Sequence, residues 1–169
     1  MLSHMICEVS KYVNQQTDYT NTGETSNMET KQVIVFRKDL LKGEHGIRKG
    51  KFAAQCCHAS LGALLKCFSK YQCVYPGEQV TTRYEVEFGS DCVLDSWLNG
   101  AFTKVVVSVD NEEQLRELDK KCDELDIPHA LITDSGLTEF HGVPTVTCLG
   151  IGPWEKNKLD SITGSLQLL

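Results

Sequence analysis

The chain has 169 residues and a formal net charge of −6, and 41% of its residues are hydrophobic, as in an ordinary globular protein. That length accommodates one domain with a hydrophobic core, and it excludes two domains of usual size. No apolar run approaches the roughly 20 residues of a membrane-spanning helix, and the N-terminus lacks a secretory signal pattern, so we expect a cytoplasmic protein.

Positive charge is concentrated in one part of the chain. Residues 31–75 carry a formal charge of +7, whereas residues 1–30 carry −3 and residues 76–169 carry −10. Such clustering is typical of a site for a polyanion, although clustered Lys and Arg can also form a merely solvated face. The charge distribution by itself leaves both interpretations open.

The first predicted elements are a polar extension, a strand and a loop. Residues 1–30 are rich in Ser, Thr, Asn, Gln and acidic residues without periodicity, which predicts a disordered extension or processed leader. Residues 31–37 are mainly apolar and predict a strand buried on both faces. The charged residues 38–49 predict a loop that is longer than most strand-to-helix connections.

A long helix is predicted over residues 50–70. At 100° per residue, Lys51, Gln55 and His58 fall in one stripe, so the helix presents an ammonium, an amide and an imidazole in a row. The opposite side carries apolar residues that we expect to pack in the core, namely Ala53, Cys57, Leu61, Leu64 and Phe68.

The segment before this helix only partly matches a phosphate-binding loop. Arg48 and Lys49 lie where free backbone N–H groups and the helix dipole favour an anion. A Walker A motif, however, would require glycine at the position of His45 and a hydroxyl at the position of Phe52. Nucleotide hydrolysis is therefore not expected.

The remaining pattern predicts an α/β fold. Residues 71–90 look like a variable connection, and Gly152–Pro153 is expected to end the last long strand. The order of elements predicts a sheet with helices on both faces, mostly parallel with one strand reversed. The predicted elements are a short helix over 91–98, strands over 102–109, 129–133 and 143–151, and helices over 111–125 and 155–162.

Eight cysteines raise the possibility of disulfides or zinc, but their spacing argues against both. There is no Cys-x-x-Cys motif, and the adjacent Cys56 and Cys57 would point about 100° apart on a helix. Most of the cysteines are flanked by apolar residues. We therefore expect structural thiols that behave as small hydrophobic side chains.

Asp134 follows the predicted strand over 129–133, in a turn. Because the carboxyl ends of parallel strands border one crevice, we expect Asp134 to lie near Lys51 and His58. A carboxylate, an imidazole and an ammonium in one crevice could activate water and stabilise an oxyanion. Each also has a structural alternative: Asp134 in an Asx turn, His58 as a satisfied helix histidine and Lys51 as surface charge.

Six segments, in order and with sensible spacing, carry a resemblance to a known family. They are Arg37–Leu40, Gly50–Ala59, Thr103–Val107, Thr133–Glu139, Cys148–Pro153 and Asp160–Leu166. These segments resemble the motifs of type 2 peptidyl-tRNA hydrolases, which occur in archaea, eukaryotes and some bacteria. The resemblance covers residues 31–169, and agreement among several separate motifs makes it specific.

The resemblance implies hydrolysis of the ester between a peptide and the 3′-terminal ribose of tRNA, which recycles the tRNA. It also implies a single domain over residues 31–169, built as a three-layer α/β/α sandwich with a four-stranded mixed, mostly parallel sheet. No metal or organic cofactor is implied. Peptidyl-tRNA is the implied partner, and a homodimer is a possible assembly because family members are often dimers.

The family's active-site positions correspond to Lys51, Gln55, His58, Asp134 and Thr138. Our hypothesis is that Asp134 orients or deprotonates the attacking water, alone or with His58. Lys51 would stabilise the oxyanion or a nearby phosphate, while Thr138 and Gln55 would supply positioning hydrogen bonds. Five basic residues are candidate contacts to the tRNA backbone: Arg37, Lys38, Arg48, Lys49 and Lys104.

Two features depart from the family pattern. The loop before Gly50 is longer than usual, and Leu137 replaces an arginine common in archaeal and eukaryotic members. The replacement removes one candidate phosphate contact and implies a chain nearer to bacterial- or phage-like members. The alternative function is a non-catalytic RNA- or protein-binding module on the same scaffold. The residues Lys51, His58, Asp134 and Thr138 favour the enzyme, since a pure binder has no need of a carboxylate in a basic crevice.

Overall fold

The structure is a computed structural model that describes residues 28–42, 46–75, 77, 79–87 and 92–169, so most of the predicted N-terminal extension lies outside the described residues. The strands are β1 (Thr30–Arg37), β2 (Ser69–Tyr75), β3 (Gln79–Glu85), β4 (Lys104–Val109), β5 (His129–Asp134), β6 (Thr145–Glu155) and β7 (Gln167–Leu168). The helices are α1 (Lys49–Leu65), α2 (Val93–Leu98), α3 (Glu112–Glu124) and α4 (Lys156–Thr163), and a 3-10 helix spans Lys38–Leu41.

The main sheet confirms the predicted α/β class and differs in how its strands pair. Its order is β5-β6-β1-β4-β7, which adds the two-residue β7 to the four predicted strands. β1, β4 and β5 run in one direction, and β6 is the one reversed strand among these four, whose identity the sequence did not indicate. The reversed β6 lies between β5 and β1 and pairs antiparallel with both, and β7 pairs antiparallel with β4. Three of the four pairings in the sheet are therefore antiparallel.

Helices cover both faces of the sheet because side chains alternate along β1. Val33 and Val35 pack on one side in a cluster that includes Leu115 of α3 and Leu159 of α4. Ile34 and Phe36 point to the other side, where the buried residue from α1 is Ala59. Apolar residues on both faces of a central strand require two covering layers. The result is a helix–sheet–helix sandwich.

The buried face of α1 differs from the predicted one. Its buried residues are Gln55, Ala59 and Ala63, whereas Ala53, Cys57 and Leu61 are exposed. The helix lies very close to the sheet, since a Cβ on Gly150 would come within 2.1 Å of the Ala59 carbonyl oxygen. Apolar residues occur on every side of α1, so their periodicity could not predict which face is buried. The face with small side chains is buried because only small side chains allow the helix to approach the sheet so closely.

Two connections also differ from the prediction. Residues 69–85, predicted as a variable connection, form the β2–β3 hairpin, and α1 accordingly ends at Leu65. The β-branched and aromatic residues on both sides of Pro76–Gly77 were the sequence signal for that hairpin. β6 does not end at Gly152–Pro153 as predicted but continues through Pro153. At that point β6 extends beyond the end of β5 and pairs only with β1, next to a shift in the pairing register, where a proline is tolerated.

Helix α3 begins where the sequence predicts. Asn111 caps α3, where its side chain accepts a hydrogen bond from the Gln114 backbone N–H at 3.0 Å. The seven cysteines within the described residues are free thiols. Cys122 and Cys148 are buried, and burial raises the pKa of each to about 12, as expected of structural thiols. No described helix is long and apolar enough to cross a membrane.

Candidate active site

Lys51 and Asp134 meet at the carboxyl-terminal edge of the sheet. Asp134 is the last residue of β5, and Lys51 lies in the first turn of α1. Lys51 Nζ lies 2.5 Å from Asp134 Oδ2, and only 12% and 11% of the two side chains are exposed. The fold thus brings together two residues that are 83 positions apart in the chain.

The Asp134 carboxylate is held by donors on both oxygens. Oδ2 also accepts from Gln55 Nε2 at 2.8 Å, and Oδ1 accepts from the Gly136 backbone N–H at 2.8 Å. Partial burial raises the pKa of Asp134, but the hydrogen bonds from Lys51, Gly136 and Gln55 outweigh that effect, so its pKa lies below the ordinary value. Asp134 is therefore ionised at neutral pH and is a weak proton acceptor.

Gln55 is oriented by a residue that the sequence did not single out. Thr147 is buried, and its hydroxyl donates to Gln55 Oε1 at 2.6 Å, which leaves Gln55 Nε2 to face Asp134. The pairing register between β5 and β6 shifts so that Thr147 is an extra residue in β6. Such a bulge re-aims side chains, and here it turns Thr147 towards α1.

The loop after β5 depends on a glycine. Gly136 has a φ of +83°, and a Cβ at this position would lie 2.3 Å from the Val143 carbonyl oxygen. A side chain would thus meet both backbone strain and a direct clash. Only glycine lets this backbone N–H reach Asp134 without displacing the returning chain.

Within the residues that the structure describes, Lys51 has partners for two of its three ammonium protons and one proton left for a ligand. It donates to Asp134 Oδ2 and to Thr138 Oγ1 at 3.1 Å, and its Nζ lies 5.5 Å from the centroid of the Phe140 ring. An ammonium carries three donors. Because Thr138 accepts from Lys51, its own O–H is also available to a ligand.

His58 lies outside this network. It is exposed on α1, seven residues after Lys51 and therefore about 10 Å further along the helix axis. No hydrogen bond or ion pair joins it to Asp134 among the described residues. The structure thus unites four of the five predicted catalytic residues, and the catalytic role of His58 stays a prediction.

Two of the predicted tRNA contacts are engaged within the protein. The Arg37 guanidinium is 12% exposed, contacts Asp39 and Glu112, and donates to the Val146 carbonyl oxygen at 2.8 Å. The hydrogen bond to Asp39 raises the pKa of Arg37, and this geometry ties the end of β1 to α3. Lys38 Nζ lies 2.5 Å from Asp110.

The other three predicted tRNA contacts divide between two edges of the sheet. Arg48 is 80% exposed and pairs with Glu139, and Lys49 is exposed with no ion-pair partner among the described residues. Both precede Lys51 at the start of α1. Lys104 begins β4 at the opposite edge, where its Nζ stacks on Phe102 and Trp97, and partial burial lowers its pKa.

Sequence reasoning missed three residues that shape the site. Gly136 and Glu139 carried a signal, since a glycine follows the aspartate in the turn and Glu139 falls in the quoted motif. Thr147 carried no such signal, because the alternation of apolar and polar residues along a strand does not reveal where a β-bulge occurs. The described residues contain no group of three His, Cys, Asp or Glu side chains that could hold a metal ion.

Comparison with known proteins agrees with the motifs at this site. A profile of the family described as "Peptidyl-tRNA hydrolase PTH2" matches residues 30–169. The chain belongs to the type 2 peptidyl-tRNA hydrolase family. The matched span contains the whole Lys51, Gln55, Asp134 and Thr138 cluster.

Individual relatives give the same result. A peptidyl-tRNA hydrolase from Methanothermobacter thermautotrophicus is 39% identical over 139 residues, which is 82% of this chain and 99% of the relative. One from Methanopyrus kandleri is 37% identical over 139 residues, 82% of this chain and 97% of the relative. A probable peptidyl-tRNA hydrolase 2 from Dictyostelium discoideum is 34% identical over 140 residues, 83% of this chain and 55% of the relative.

The Asp134 carboxylate is expected to stabilise this peptidyl-tRNA hydrolase in a pH-dependent way. Because folding lowers the pKa of Asp134, its contribution is complete above the unfolded-state pKa of about 4 and is lost as the pH falls through the folded-state value. Asp134→Asn should therefore lower the free energy of unfolding by about 2 kcal/mol at pH 7 and by less at pH 3, below the unfolded-state pKa.

Urea unfolding at the two pH values measures this difference. Asp110→Asn is the matched control, since Asp110 has the same 2.5 Å contact with a lysine but is 59% exposed. Its replacement should change stability less than that of Asp134 at pH 7. An Asp134→Asn loss that is equally large at both pH values would contradict the assigned pKa shift.

Thr147 is expected to act through Gln55. Thr147→Val keeps the shape of the side chain and removes the donor to Gln55 Oε1, so the amide can rotate away from Asp134. We expect kcat to fall about tenfold with little change in KM, because one neutral hydrogen bond is lost. Thr147→Ser retains the hydroxyl and should restore most of kcat, which a purely volumetric role for Thr147 would not produce.

Proposed function

We propose that the protein hydrolyses the ester between a peptide and the 3′-terminal ribose of tRNA. The observation that carries this proposal is the nearly buried contact between Lys51 and Asp134 in a chain of the type 2 peptidyl-tRNA hydrolase family. Water supplies the oxygen that bonds to the carbonyl carbon, and the bond between that carbon and the ribose 3′ oxygen breaks. One water proton passes to the 3′ oxygen, and the other is released as the peptide acid ionises. The products are a peptide carboxylate and a free tRNA.

Asp134 orients the attacking water in this mechanism. Its Oδ2 accepts two hydrogen bonds, whereas within the described part of the chain Oδ1 accepts one, from Gly136, which leaves an Oδ1 lone pair for a water proton. The lowered pKa supports orientation by hydrogen bonding over full proton removal.

Lys51 stabilises the negative charge that develops on the ester carbonyl oxygen. Its third ammonium proton is not used by Asp134 or Thr138, and a donor in a water-poor site is worth more than the same donor in bulk water. The Thr138 hydroxyl, which already accepts from Lys51, can donate to the ribose. Gln55 keeps Asp134 in place.

The direct test uses an N-acetylated aminoacyl-tRNA as substrate. Loss of the ester in the presence of the parent protein, at a rate well above that of free substrate in buffer, supports the hydrolase. Binding of the substrate without ester loss would instead favour the alternative, a non-catalytic RNA-binding module. The role of each side chain is then measured on the same substrate.

Basic residues beside the site bind the tRNA backbone in this proposal. Lys49 is the strongest candidate near the site because it is exposed and lacks a described ion-pair partner, whereas Arg48 must leave Glu139 to contact a phosphate. Phosphate contacts do not read sequence, which suits an enzyme acting on every tRNA. The other three predicted tRNA contacts stay predictions. Arg37 and Lys38 are engaged in ion pairs within the protein, and Lys104 lies far from Lys51 and Asp134.

Affinity for deacylated tRNA is expected to fall steeply as salt rises from about 0.05 to 0.2 M. Lys49→Ala should lower the slope of log affinity against log salt by about 1, since one phosphate contact is lost. Lys104→Ala should alter that slope less, because Lys104 lies at the opposite edge of the sheet. Filter binding across a salt series measures both, and a flat response of the parent would contradict phosphate-dominated binding.

We also propose that the protein acts in the cytoplasm, where peptidyl-tRNA is produced, and that it forms a homodimer. The exposed apolar stripe on α1, formed by Ala53, Cys57, Leu61 and Leu65, supports the assembly because water-exposed apolar stripes favour association. Sedimentation velocity over a range of concentrations measures the assembly.

A further inference from the structure

Strand β5 forms one edge of the main sheet and ends at the candidate active site. Among the described residues, its only strand neighbour is β6. Natural proteins protect long edge strands with proline or inserted charges such as lysine. Neither proline, lysine nor arginine occurs in His129–Asp134, so this edge is open to pairing along its length.

The direction of the backbone groups in β5 can be read from its contacts. Within a strand, the N–H and C=O of one residue point to the same side, and that side alternates. The Pro128 carbonyl oxygen accepts from the Gly152 N–H at 2.7 Å, and the Ile132 carbonyl oxygen lies 3.3 Å from Thr147 Oγ1. Even-numbered residues therefore face β6.

The odd-numbered residues of β5 face outwards. His129, Leu131 and Thr133 direct their backbone N–H and C=O groups away from β6, and no loop or turn backbone within the described residues pairs with them. Helices α1 and α3 both contact β5, so these backbone groups lie along the side of the sheet, between the two helical layers. Such a row is a template for an extended peptide.

We propose that the peptide of the substrate pairs with this outer edge of β5. The inference rests on the proposed function, because the ester must lie beside Lys51 and Asp134 at the carboxyl end of the strand. The residues that precede the ester then extend back towards His129, so the peptide runs parallel to β5. At about 3.3 Å per residue, the strand has room for about five peptide residues.

Recognition through the backbone fits the chemistry of this substrate. Main-chain hydrogen bonds give affinity without reading side chains, whereas side-chain pockets would restrict the peptides accepted. The peptides carried by tRNA have every sequence. An open strand edge that ends at the reacting ester therefore meets the requirement for sequence-independent binding.

The first test varies the peptide length with the protein unchanged. The substrates are tRNAs that carry N-acetylated oligoalanine of one to six residues. We expect kcat/KM to rise about tenfold from one to about five residues and then to level off, since each added pair of main-chain bonds contributes only a small factor. Equal kcat/KM at every length would overturn the proposal.

The second test removes single peptide N–H groups. N-methylation of each amide in turn along the pentaalanyl substrate should lower kcat/KM at alternate positions only, because alternate residues of a strand face its neighbour. A uniform or absent effect would overturn strand pairing. This pattern also excludes an apolar groove, which would respond to side chains and not to alternate amides.

The third test removes one outward N–H of the protein. Thr133→Pro deletes an N–H that points away from β6, and the Thr133 side chain is exposed, so the sheet and core keep their contacts. We expect the ratio of kcat/KM for the pentaalanyl substrate to kcat/KM for the single-residue substrate to fall from about ten in the parent towards one in this variant, whatever its rate on the single-residue substrate. Thr133→Val, which retains the N–H, should keep the ratio of the parent.

Two other experimental outcomes would separate this proposal from its alternatives. If a second copy of the chain occupies this edge, the Leu131 and Thr133 amides will be protected from hydrogen exchange in the free protein in a concentration-dependent way, and that result would overturn the proposal. Absence of hydrolysis of even the single-residue substrate would contradict the proposed function itself. Hydrolysis that shows no length dependence would contradict only the edge-pairing inference.

Discussion

Replacing Lys51 by alanine is expected to lower kcat/KM on N-acetylated aminoacyl-tRNA by about 100- to 1,000-fold, the usual effect of removing an oxyanion donor. The loss should fall on kcat, because Lys51 Nζ lies against Asp134 and Thr138 inside the cluster, where it meets the reacting ester. Initial rates over a range of substrate concentrations separate kcat from KM.

Lys49→Ala is the matched control for this substitution. Lys49 lies two residues before Lys51 at the same helix terminus, carries the same charge and is exposed. Its removal should raise KM and leave kcat nearly unchanged. Equal losses of kcat in both variants would show that general positive charge, and not the contact with Asp134, accounts for the effect of Lys51.

His58→Ala distinguishes the sequence-based hypothesis from the geometry. If His58 were a general base that assists Asp134, every turnover would need it, and its removal would lower kcat strongly. Because His58 is exposed and separate from the cluster, we expect little change. A large loss of kcat would restore His58 to the mechanism and would require substrate binding to bring it to the ester.

Gly136→Ala is expected to cost about 3 kcal/mol of stability, because a side chain at positive φ is strained and its Cβ also clashes with a backbone oxygen. The Cβ would lie 2.3 Å from the Val143 carbonyl oxygen, so the loop must move. That movement withdraws the N–H from Asp134, and we expect kcat to fall about 100-fold with it. Urea unfolding and single-turnover kinetics measure the two effects.

Gly142→Ala isolates the backbone contribution. Gly142 lies in the same loop at nearly the same φ, +82°, but a Cβ there meets nothing within 4 Å. It should lose only the strain energy of about 1 kcal/mol and keep its activity. If both variants lose the same stability and activity, the clash with Val143 and the anchoring of Asp134 have no part in the result.

Spacing on one helix was sufficient to predict part of the site. Lys51 and Gln55 are four residues apart, so they share a helix face wherever that helix lies. Asp134 could be added because it ends a predicted strand, and such ends gather at one edge of a sheet. His58 shares the stripe as well, but seven residues of rise carry it beyond reach of the cluster.

Positive charge was a weaker guide to function. Arg37 lies in the basic part of the sequence and Lys104 in the acidic part that follows, and both were predicted to bind tRNA. The fold directs Arg37 into contacts with Asp39 and Glu112 and places Lys104 at the far edge, against aromatic rings. A formal charge count includes each lysine and arginine without regard to its partners.

The sequence by itself determined the order of the four helices and of four of the five strands in the main sheet, the presence of one reversed strand and the motifs that mark the family, because these follow from local periodicity and from residue types at fixed spacing. The tertiary structure alone decided which face of α1 packs, that β6 lies between β5 and β1, and that Thr147 turns towards Gln55. These features depend on contacts between distant segments, namely the close approach of α1 to Gly150 and a one-residue bulge, and no local pattern encodes such contacts.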